Sequence, residues 1–308
     1  MPTIDTMDAP ISGSAPAGFL SHSSRIGTGR TAEVLDWSPG WVLKLFWEGS
    51  PQSYVETEAR LANSVHRATA STREFRAPAA GSLITVGQRI GLLYQRVHGL
   101  TLAGVAQASA SVSSLADTGI RLADIHFAIH TVEPESRPGS IDFPEQSAKL
   151  RFAIQHAAEL DGPLRVPAWR ALDEINEPGR EKHCLCHGDF HPMNVLVDID
   201  GAATVIDWVT AERGSALCDV ARTCLRLRFG RVSDTREITP GEAAVRQIIH
   251  DAYLSRYVER SAKPGTRAVV DQWLPVVAAA RLCDGIGANE RAALAPLIAT
   301  LSETNPVD

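Results

Sequence analysis

The chain has 308 residues, 44% of them hydrophobic, and a formal charge of −6 at pH 7. That is long enough for one large domain or two lobes with a sizeable core, and the negative balance argues against nucleic acid as the main partner. The charge is uneven: residues 1–97 hold 9 basic and 8 acidic side chains and residues 98–308 hold 21 and 28, which permits a cationic substrate in the C-terminal part without requiring one.

Residues 1–22 are rich in Pro, Ser, Ala and Gly and are expected to form a flexible tail. The first 20 lack the basic start and apolar core of a signal peptide. Residues 25–47 read as two strands, RIGTGRTAEVLDW and WVLKLFW, joined by a Ser38-Pro39-Gly40 turn. Residues 53–68 have a helical period, with Val55, Ala59, Ala62 and Val65 roughly on one side. Residues 83–97 read as two more strands around Gly87-Gln88. After Gly99 the pattern changes. Apolar residues recur at helical spacing over 112–131 (Leu115, Ile120, Leu122, Ile125, Ile129), 133–144 is a loop, and 145–160 and 167–177 are helices. Residues 184–208 are β-like, and from 216 the chain is mostly helical, punctuated near Pro240, Pro264 and Pro275. The expected fold is α+β and two-lobed: a small antiparallel-sheet lobe with one helix over 23–97, and a larger, mainly helical lobe over 98–308. No apolar run reaches the length of a membrane span. Five cysteines, odd in number and without small-scaffold spacing, read as reduced thiols. A cytoplasmic protein with no membrane partner is expected.

The stretch CLCHGDFHPMNVLVDIDGAATVIDW (184–208) concentrates polar residues among apolar ones. Asp200-Gly201 is a strong two-residue hairpin signal. With these as the central turn residues, Ile199 pairs with Ala202, Val197 with Thr204, Val195 with Ile206 and Asn194 with Asp207. Opposed residues lie roughly 4.5–5.5 Å apart, so an amide and a carboxylate meet at the open end, with Asp189 in the loop just ahead. Such oxygens suit a hard cation such as Mg²⁺, which keeps room for phosphate oxygens. The second carboxylate can accept a proton. Taken alone, the segment is as readily a plain structural hairpin.

A second cluster lies upstream. Ile26-Gly27-Thr28-Gly29-Arg30 is a glycine-containing turn of the kind that lets backbone N–H groups approach phosphates. Only four lysines occur against 26 arginines, and Lys44 sits in the apolar run Val42-Leu43-Lys44-Leu45, where it needs a partner. The helix at 53–68 offers Glu56 and Glu58. A Gly-rich loop, a strand lysine, a helix glutamate, then Asp189 and Asn194 as D-x-x-x-x-N and a later Asp207 form the ordered part list of kinase-type phosphoryl transfer.

At this point the sequence resembles the aminoglycoside phosphotransferase/choline kinase-like family, a branch of the protein-kinase-like fold. HGDFHPMNVLV (187–197), VIDW (205–208) and GSALCDVART (214–223) carry the resemblance, which covers about residues 25–285. It implies ATP as phosphoryl donor, with GTP not excluded, and Mg²⁺ held by Asn194 and Asp207. It implies that Asp189 is the catalytic base and that Gly27 and Gly29 belong to the phosphate loop. Glu58 is the better match for the partner of Lys44. LLYQRVHG (92–99) looks like the hinge, with backbone groups of Gln95 and Val97 meeting the adenine. His187 and Asp219 would support the catalytic loop. Asp219 follows Asp207 after only 12 residues, which leaves no room for a protein kinase's activation segment. The acceptor is therefore expected to be a small-molecule hydroxyl, on an aminoglycoside or other antibiotic, a choline-like amine or a sugar. A nucleotide-binding pseudokinase is the alternative, and a protein kinase ranks below it.

Three further features stand apart from this set. Cys184 and Cys186 share a strand face beside His183, His187 and His191, but two more ligands at ordinary zinc-site spacings are missing. His126 and His130 share a helix face without the Glu of H-E-x-x-H and read as surface or loop-packing residues. Trp273–Leu282 reads as a core helix with Pro275 in its first turn. Asp284 at its end is a candidate for holding a cationic substrate, set against a solvated C-terminal turn.

Overall fold

The computed structural model describes residues 13–16, 18–109, 111–132, 143–160, 162–177, 182–230 and 238–303. Its first layer is a six-stranded sheet. The strands β1 (Gly13–Ser14), β2 (Arg25–Thr28), β3 (Ala32–Ser38), β4 (Trp41–Phe46), β5 (Ala80–Val86) and β6 (Arg89–Gln95) lie in the order β1-β5-β6-β4-β3-β2. A short helix α1 (Phe19–His22) precedes β2, and α2 (Gln52–Ala68) follows β4. Strand alternation decides what β4 presents. Leu43 and Leu45 join Leu35, Ile84, Val86 and Leu93 in one apolar cluster. Phe46 belongs to another, with Ala32, Leu92 and Val55 of α2. A period of two therefore turns Lys44 to the α2 side.

The second layer is mainly helical. It holds β7 (Leu100–Thr101), α3 (Leu102–Ser109), α4 (Val112–Thr131), α5 (Gln146–His156) and α6 (Gly162–Ile175). Next come the short strands β8 (Cys184–Cys186), β9 (Val195–Val197), β10 (Ala203–Val205) and β11 (Glu212–Gly214). The chain then continues through α7 (Ala216–Phe229), α8 (Pro240–Ser261), α9 (Thr266–Arg281) and α10 (Ala288–Glu303). Helix starts follow capping chemistry. The hydroxyls of Ser111 and Ser215 accept from Ser114 and Cys218 N–H, and Thr239 with Glu242 closes a reciprocal capping box. One core, including Leu122, Ile129, Val205, Trp208, Tyr253 and Trp273, joins these helices to the β8–β11 segment. No helix among the described residues is long and apolar enough to cross a membrane.

The structure corrects several sequence expectations. Residues 1–12 of the expected tail lie outside the described residues, but from Gly13 the chain is engaged. β1 runs parallel to β5, and the Phe19 ring packs 4.8 Å from Trp37, because an aromatic side chain gains more from burial than a loose tail gives it. RIGTGRTAEVLDW is two strands, since Gly29 N–H closes a turn onto the Ala32 carbonyl at 2.8 Å. The loop expected at 133–144 lies outside the described residues up to 142. Pro275 is mid-helix, not first-turn: Gly265, at φ 80°, starts α9 at Thr266, and the buried face Val270, Trp273, Val276 and Val277 carries the helix through the proline.

α4 crosses α8 at Gly119. A Cβ there would lie 2.3 Å from the Ile249 carbonyl oxygen and 2.9 Å from Tyr253 N. Helix propensity favours Gly119→Ala by roughly 1 kcal/mol, but both obstacles are backbone and overpacking costs about 1–3 kcal/mol or more. Gly119→Ala is therefore expected to lower the urea midpoint with unchanged slope. A midpoint at or above that of the parent chain would show that the two helices are not in close contact.

Candidate active site

The 184–208 segment is broken into pieces by its own turns. β8 ends at Cys186, a 3₁₀ turn covers Pro192–Asn194, β9 and β10 form the hairpin, and a second 3₁₀ turn covers Trp208–Thr210. The hairpin register differs by one residue from the expected one. Val197 pairs with Ala203, Leu196 with Thr204 and Val195 with Val205. The reason is local: the Asp198 carboxylate accepts from Asp200 N and Ala202 N, and the turn then takes three residues, ending on Gly201 at φ 84°. Asn194 thus faces Ile206, whose N–H donates to the Asn194 carbonyl at 2.9 Å.

Asp207 comes next, at φ 65° and ψ 55°. A left-handed conformation costs a non-glycine residue about 1–2 kcal/mol. Its neighbours enforce it: Trp208 is buried, donates Nε1–H to the Val205 carbonyl at 2.9 Å, and stacks on Phe75. The turn carries the Asp207 carboxylate to Lys44. Lys44 Nζ lies 2.8 Å from Asp207 Oδ1 and 2.7 Å from Glu58 Oε1, and Tyr94 OH donates to the same Glu58 oxygen at 2.8 Å. Glu58 is fully buried, while Glu56 accepts from Gln52 on the surface, which settles between the two glutamates. Burial works to lower the Lys44 pKa, but Asp207 and then Glu58 outweigh it and hold the ammonium above its ordinary range.

The loop carrying Asp189 hangs on Asp219. This fully buried carboxylate accepts from His187 N–H at 2.7 Å and Gly188 N–H at 3.0 Å. It also meets His126 Nε2 at 3.1 Å and His130 Nε2 at 3.4 Å from α4. Gly188, at φ 78°, has no room for a side chain, since a Cβ would sit 2.6 Å from the Thr210 carbonyl oxygen. His187 Nε2 meets the Ile206 carbonyl at 3.0 Å and so ties this loop to the turn before Asp207. Asn194 Nδ2 donates to the Asp189 carbonyl at 2.9 Å. Asp189 itself is part-buried. Burial works to raise its pKa, but His191 and Arg226 outweigh it and hold the carboxyl well below the usual range.

A family model described as a phosphotransferase enzyme family matches residues 25–268. The chain belongs to that phosphotransferase family. No curated protein sequence matches it. Among solved structures, a thermostable mutant of aminoglycoside phosphotransferase APH(4)-Ia, in ternary complex with AMP-PNP and hygromycin B, is similar at a TM-score of 0.60. Its identity is 19%, over 93% of this chain and 95% of that one. Amicoumacin kinase hAmiN, in complex with AMP-PNP, Ca²⁺ and Ami, is similar at 0.59 and 12% identity over 96% and 92%. The GDP and kanamycin complex of APH(2")-IIia is similar at 0.55 and 14% identity over 91% and 92%. These likenesses fix the kinase-like fold, and the family makes the chain a phosphotransferase enzyme.

The remaining sequence candidates of this phosphotransferase lie on several elements. Gly27 and Gly29 flank the β2–β3 turn, and a Cβ at either would make only ordinary contacts, so no internal crowding demands glycine there. Arg30, at the turn, donates Nη1–H to the Asp284 carbonyl at 3.1 Å and brings the glycine loop onto the end of α9. The Asp284 carboxylate is paired with Arg281 at 2.7 Å. Gln95 N–H donates to the Ala79 carbonyl at 3.1 Å, so a contact of Gln95 with a base would run through its own carbonyl. Val97 is half-buried two residues on. Cys184 and Cys186 bring their Sγ atoms to 3.9 Å, and His130 of α4 joins them within 4.8 Å. His130 Nδ1 bonds Tyr257 OH at 2.6 Å.

Two groups escaped the sequence reading. Tyr94 had no signal beyond lying in the hinge segment. Arg226 had one: it follows Asp219 by seven residues on a helix, so both share a face. Its guanidinium sits on Asp189 Oδ1, with Nε at 2.5 Å and Nη2 also in contact. His126 is no surface residue. It is fully buried and bridges Tyr253 OH at 2.7 Å to Asp219. Burial and then His130 pull its pKa down to about 3 against the pull of Asp219, so it stays neutral and donates Nε2–H.

A depressed imidazole pKa has a defined linkage sign. Between about 3 and 6.5 the unfolded chain binds a proton at His126 that the folded chain does not. Its contribution is therefore complete above pH 6.5 and is lost as pH falls through that window, at up to about 1.4 kcal/mol per pH unit. Asp219, depressed from the ordinary carboxylate value of 3.8, adds its own loss as pH falls through that value, at the bottom of the same window. Urea midpoints are expected to fall from pH 7 to pH 5, and His126→Asn is expected to flatten the fall while lowering the midpoint at pH 7. An unchanged slope in the variant would assign the pH dependence elsewhere.

Proposed function

We propose that this phosphotransferase moves the γ-phosphoryl group of ATP to a hydroxyl of a small molecule, with Asp189 as the base. The observation that carries the reading is the meeting at Lys44. A strand lysine, a buried helix glutamate and a carboxylate from 163 residues further on converge within 2.8 Å, beside a loop that holds Asp189 and Asn194. Residues 23–97 would form the nucleotide lobe and 98–308 the catalytic and acceptor lobe. Relatives of this fold were solved with AMP-PNP and with GDP, so GTP stays open as donor. The acceptor site would take a hydroxyl compound, as the hygromycin B and kanamycin complexes do in those relatives.

The donor set suits a hard divalent cation. Asn194 places its amide nitrogen on the Asp189 carbonyl, which turns the amide oxygen the other way, and Asp207 offers a part-exposed carboxylate. One amide oxygen and one carboxylate, with room for phosphate oxygens, match Mg²⁺. Bound there, the ion would neutralise charge on the β- and γ-phosphates. Lys44, held by Glu58 and Tyr94, would orient the α- and β-phosphates. Gln95 through its carbonyl and Val97 through its backbone would meet the base, and the bare backbone at Gly27 and Gly29 would lie over the phosphates. Asp189 would align the acceptor hydroxyl and take its proton as the new O–P bond forms and the bond to the β-phosphate oxygen breaks. Catalysis is then mostly positioning and electrostatics. The 11 residues between Asp207 and Asp219 are filled by the Trp208–Thr210 turn, β11 and the start of α7, which disfavours a protein acceptor.

Asp189→Ala is expected to lower the rate of phosphoryl transfer by roughly 10²–10⁴-fold or more while nucleotide binding stays nearly intact. The check is ATP consumption over a panel of hydroxyl compounds together with calorimetric nucleotide affinity. Full turnover in the variant would remove Asp189 from the mechanism. Nucleotide binding by the parent chain with no turnover on any acceptor would favour a pseudokinase.

A further inference from the structure

We propose that Arg226 is an acceptor-recognition residue, and that the acceptor carries a carboxylate or phosphate close to the hydroxyl that is phosphorylated. The inference rests on the phosphotransferase reading of Asp189. Its observation is where Arg226 lies. Both Nε and Nη2 contact Asp189 Oδ1, and His191 Nε2 stands 3.8 Å from Oδ2. A base that must receive a hydroxyl proton is here covered by a fixed cation, which favours the carboxylate and disfavours its protonated form.

A bracing role for Arg226 explains the contact poorly. The loop is already held from behind by Asp219 through two backbone N–H groups, by Thr223 Oγ1–H on the Phe190 carbonyl at 3.0 Å and by Thr210 Oγ1–H on the His187 carbonyl at 2.8 Å. Those groups are mostly sequestered and bond backbone. Arg226 is about a quarter exposed and bonds the reactive side chain. A guanidinium fork matches carboxylate and phosphate oxygens. An acceptor anion reaching it would therefore compete with Asp189 for the fork and release the carboxylate to turn toward the neighbouring hydroxyl. Acceptor binding and base activation become one event.

The surrounding charges point the same way. Arg222, one turn before Arg226 on α7, pairs with Glu212 at 2.9 Å, and Lys149 reaches the same buried glutamate at 2.7 Å. The Asp284 carboxylate is paired with Arg281. Among the described residues, the carboxylates of Glu212 and Asp284, two that a cationic acceptor could use, are thus already matched by cations of the chain.

The test is an ATP-consumption screen of the full chain with Mg²⁺, using hydroxy acids, sugar acids and sugar phosphates, each beside its neutral amide or dephosphorylated counterpart, and kanamycin, hygromycin B and choline. Turnover with a kcat/KM at least about tenfold higher for an acid than for its neutral counterpart is expected. Arg226→Gln is expected to raise KM for that acid roughly 100-fold, as loss of a charged contact does, and to collapse the acid-to-neutral ratio toward one. Arg226→Lys should restore part of the ratio, and equal melting temperatures separate this from misfolding. Preference for the amines or for the neutral compounds would overturn the proposal while leaving the phosphotransferase reading in place. So would an unchanged acid-to-neutral ratio in Arg226→Gln with kcat lowered equally on every acceptor, which would assign Arg226 to the transferred phosphoryl group. No turnover of any compound by the parent chain would instead sink the reading of Asp189, and the proposal with it.

Discussion

One buried carboxylate holds the Asp189 end of the molecule together. Asp219 has no contact with solvent, and four donors from two directions converge on it. An ionised group in that position is tolerable only because every side is hydrogen-bonded, and removing one partner of such a buried charge typically costs about 3–5 kcal/mol. The two backbone donors come from the loop that presents Asp189. The two imidazoles come from α4. Their other nitrogens rest on tyrosines of α8, Tyr253 and Tyr257. The position of Asp189 is thus set by how α4 meets α8, and that contact is close because Gly119 carries no side chain. Packing in the helical layer and the placement of the Asp189 carboxylate are one constraint.

The Lys44 side obeys a different rule. Lys44 reaches its partners because β4 is a central strand whose alternation gives Leu43 and Leu45 to one face and Lys44 and Phe46 to the other. The helix on that second face carries Val55 and Glu58 three residues apart, so the residue that packs and the residue that pairs lie side by side. Asp207 arrives from the other layer through a left-handed turn clamped by Trp208. The strain sits at the point where the two layers exchange charge, and the structure over-determines it.

Much of this was legible in the sequence, for identifiable reasons. Lysine is rare here, so Lys44 in an apolar strand stood out, and the helix after it supplied the glutamate. The order of Asp189, Asn194 and Asp207 was readable from spacing. What failed was register. Asp200-Gly201 signalled a hairpin, but the Asp198 side chain lengthens the turn by one residue, and a slip of one exchanges the partners along the whole ladder. Asn194 therefore meets Ile206, and Asp207 is placed by its backbone conformation, which no strand pattern encodes. The reach of His126 and His130 to Asp219 was hidden because it joins elements some 90 residues apart. The helix period showed that the two histidines share a face but not what faces them.

Arg226 shows how the same helix serves two purposes. α7 begins with Asp219 in its first turn and carries Arg226 two turns on along the same face. One end of that face grips the backbone of the Asp189 loop, and the other touches the Asp189 carboxylate. The short connection from Asp207 through β11, which pairs Glu212 with Cys186, puts no long segment of its own between this face and the loop. In a fold with a long insertion there, acceptor contacts could come from the insertion. On the proposed reading of Asp189, α7 is the element whose cation touches the base, so its charges would bear on which acceptors approach.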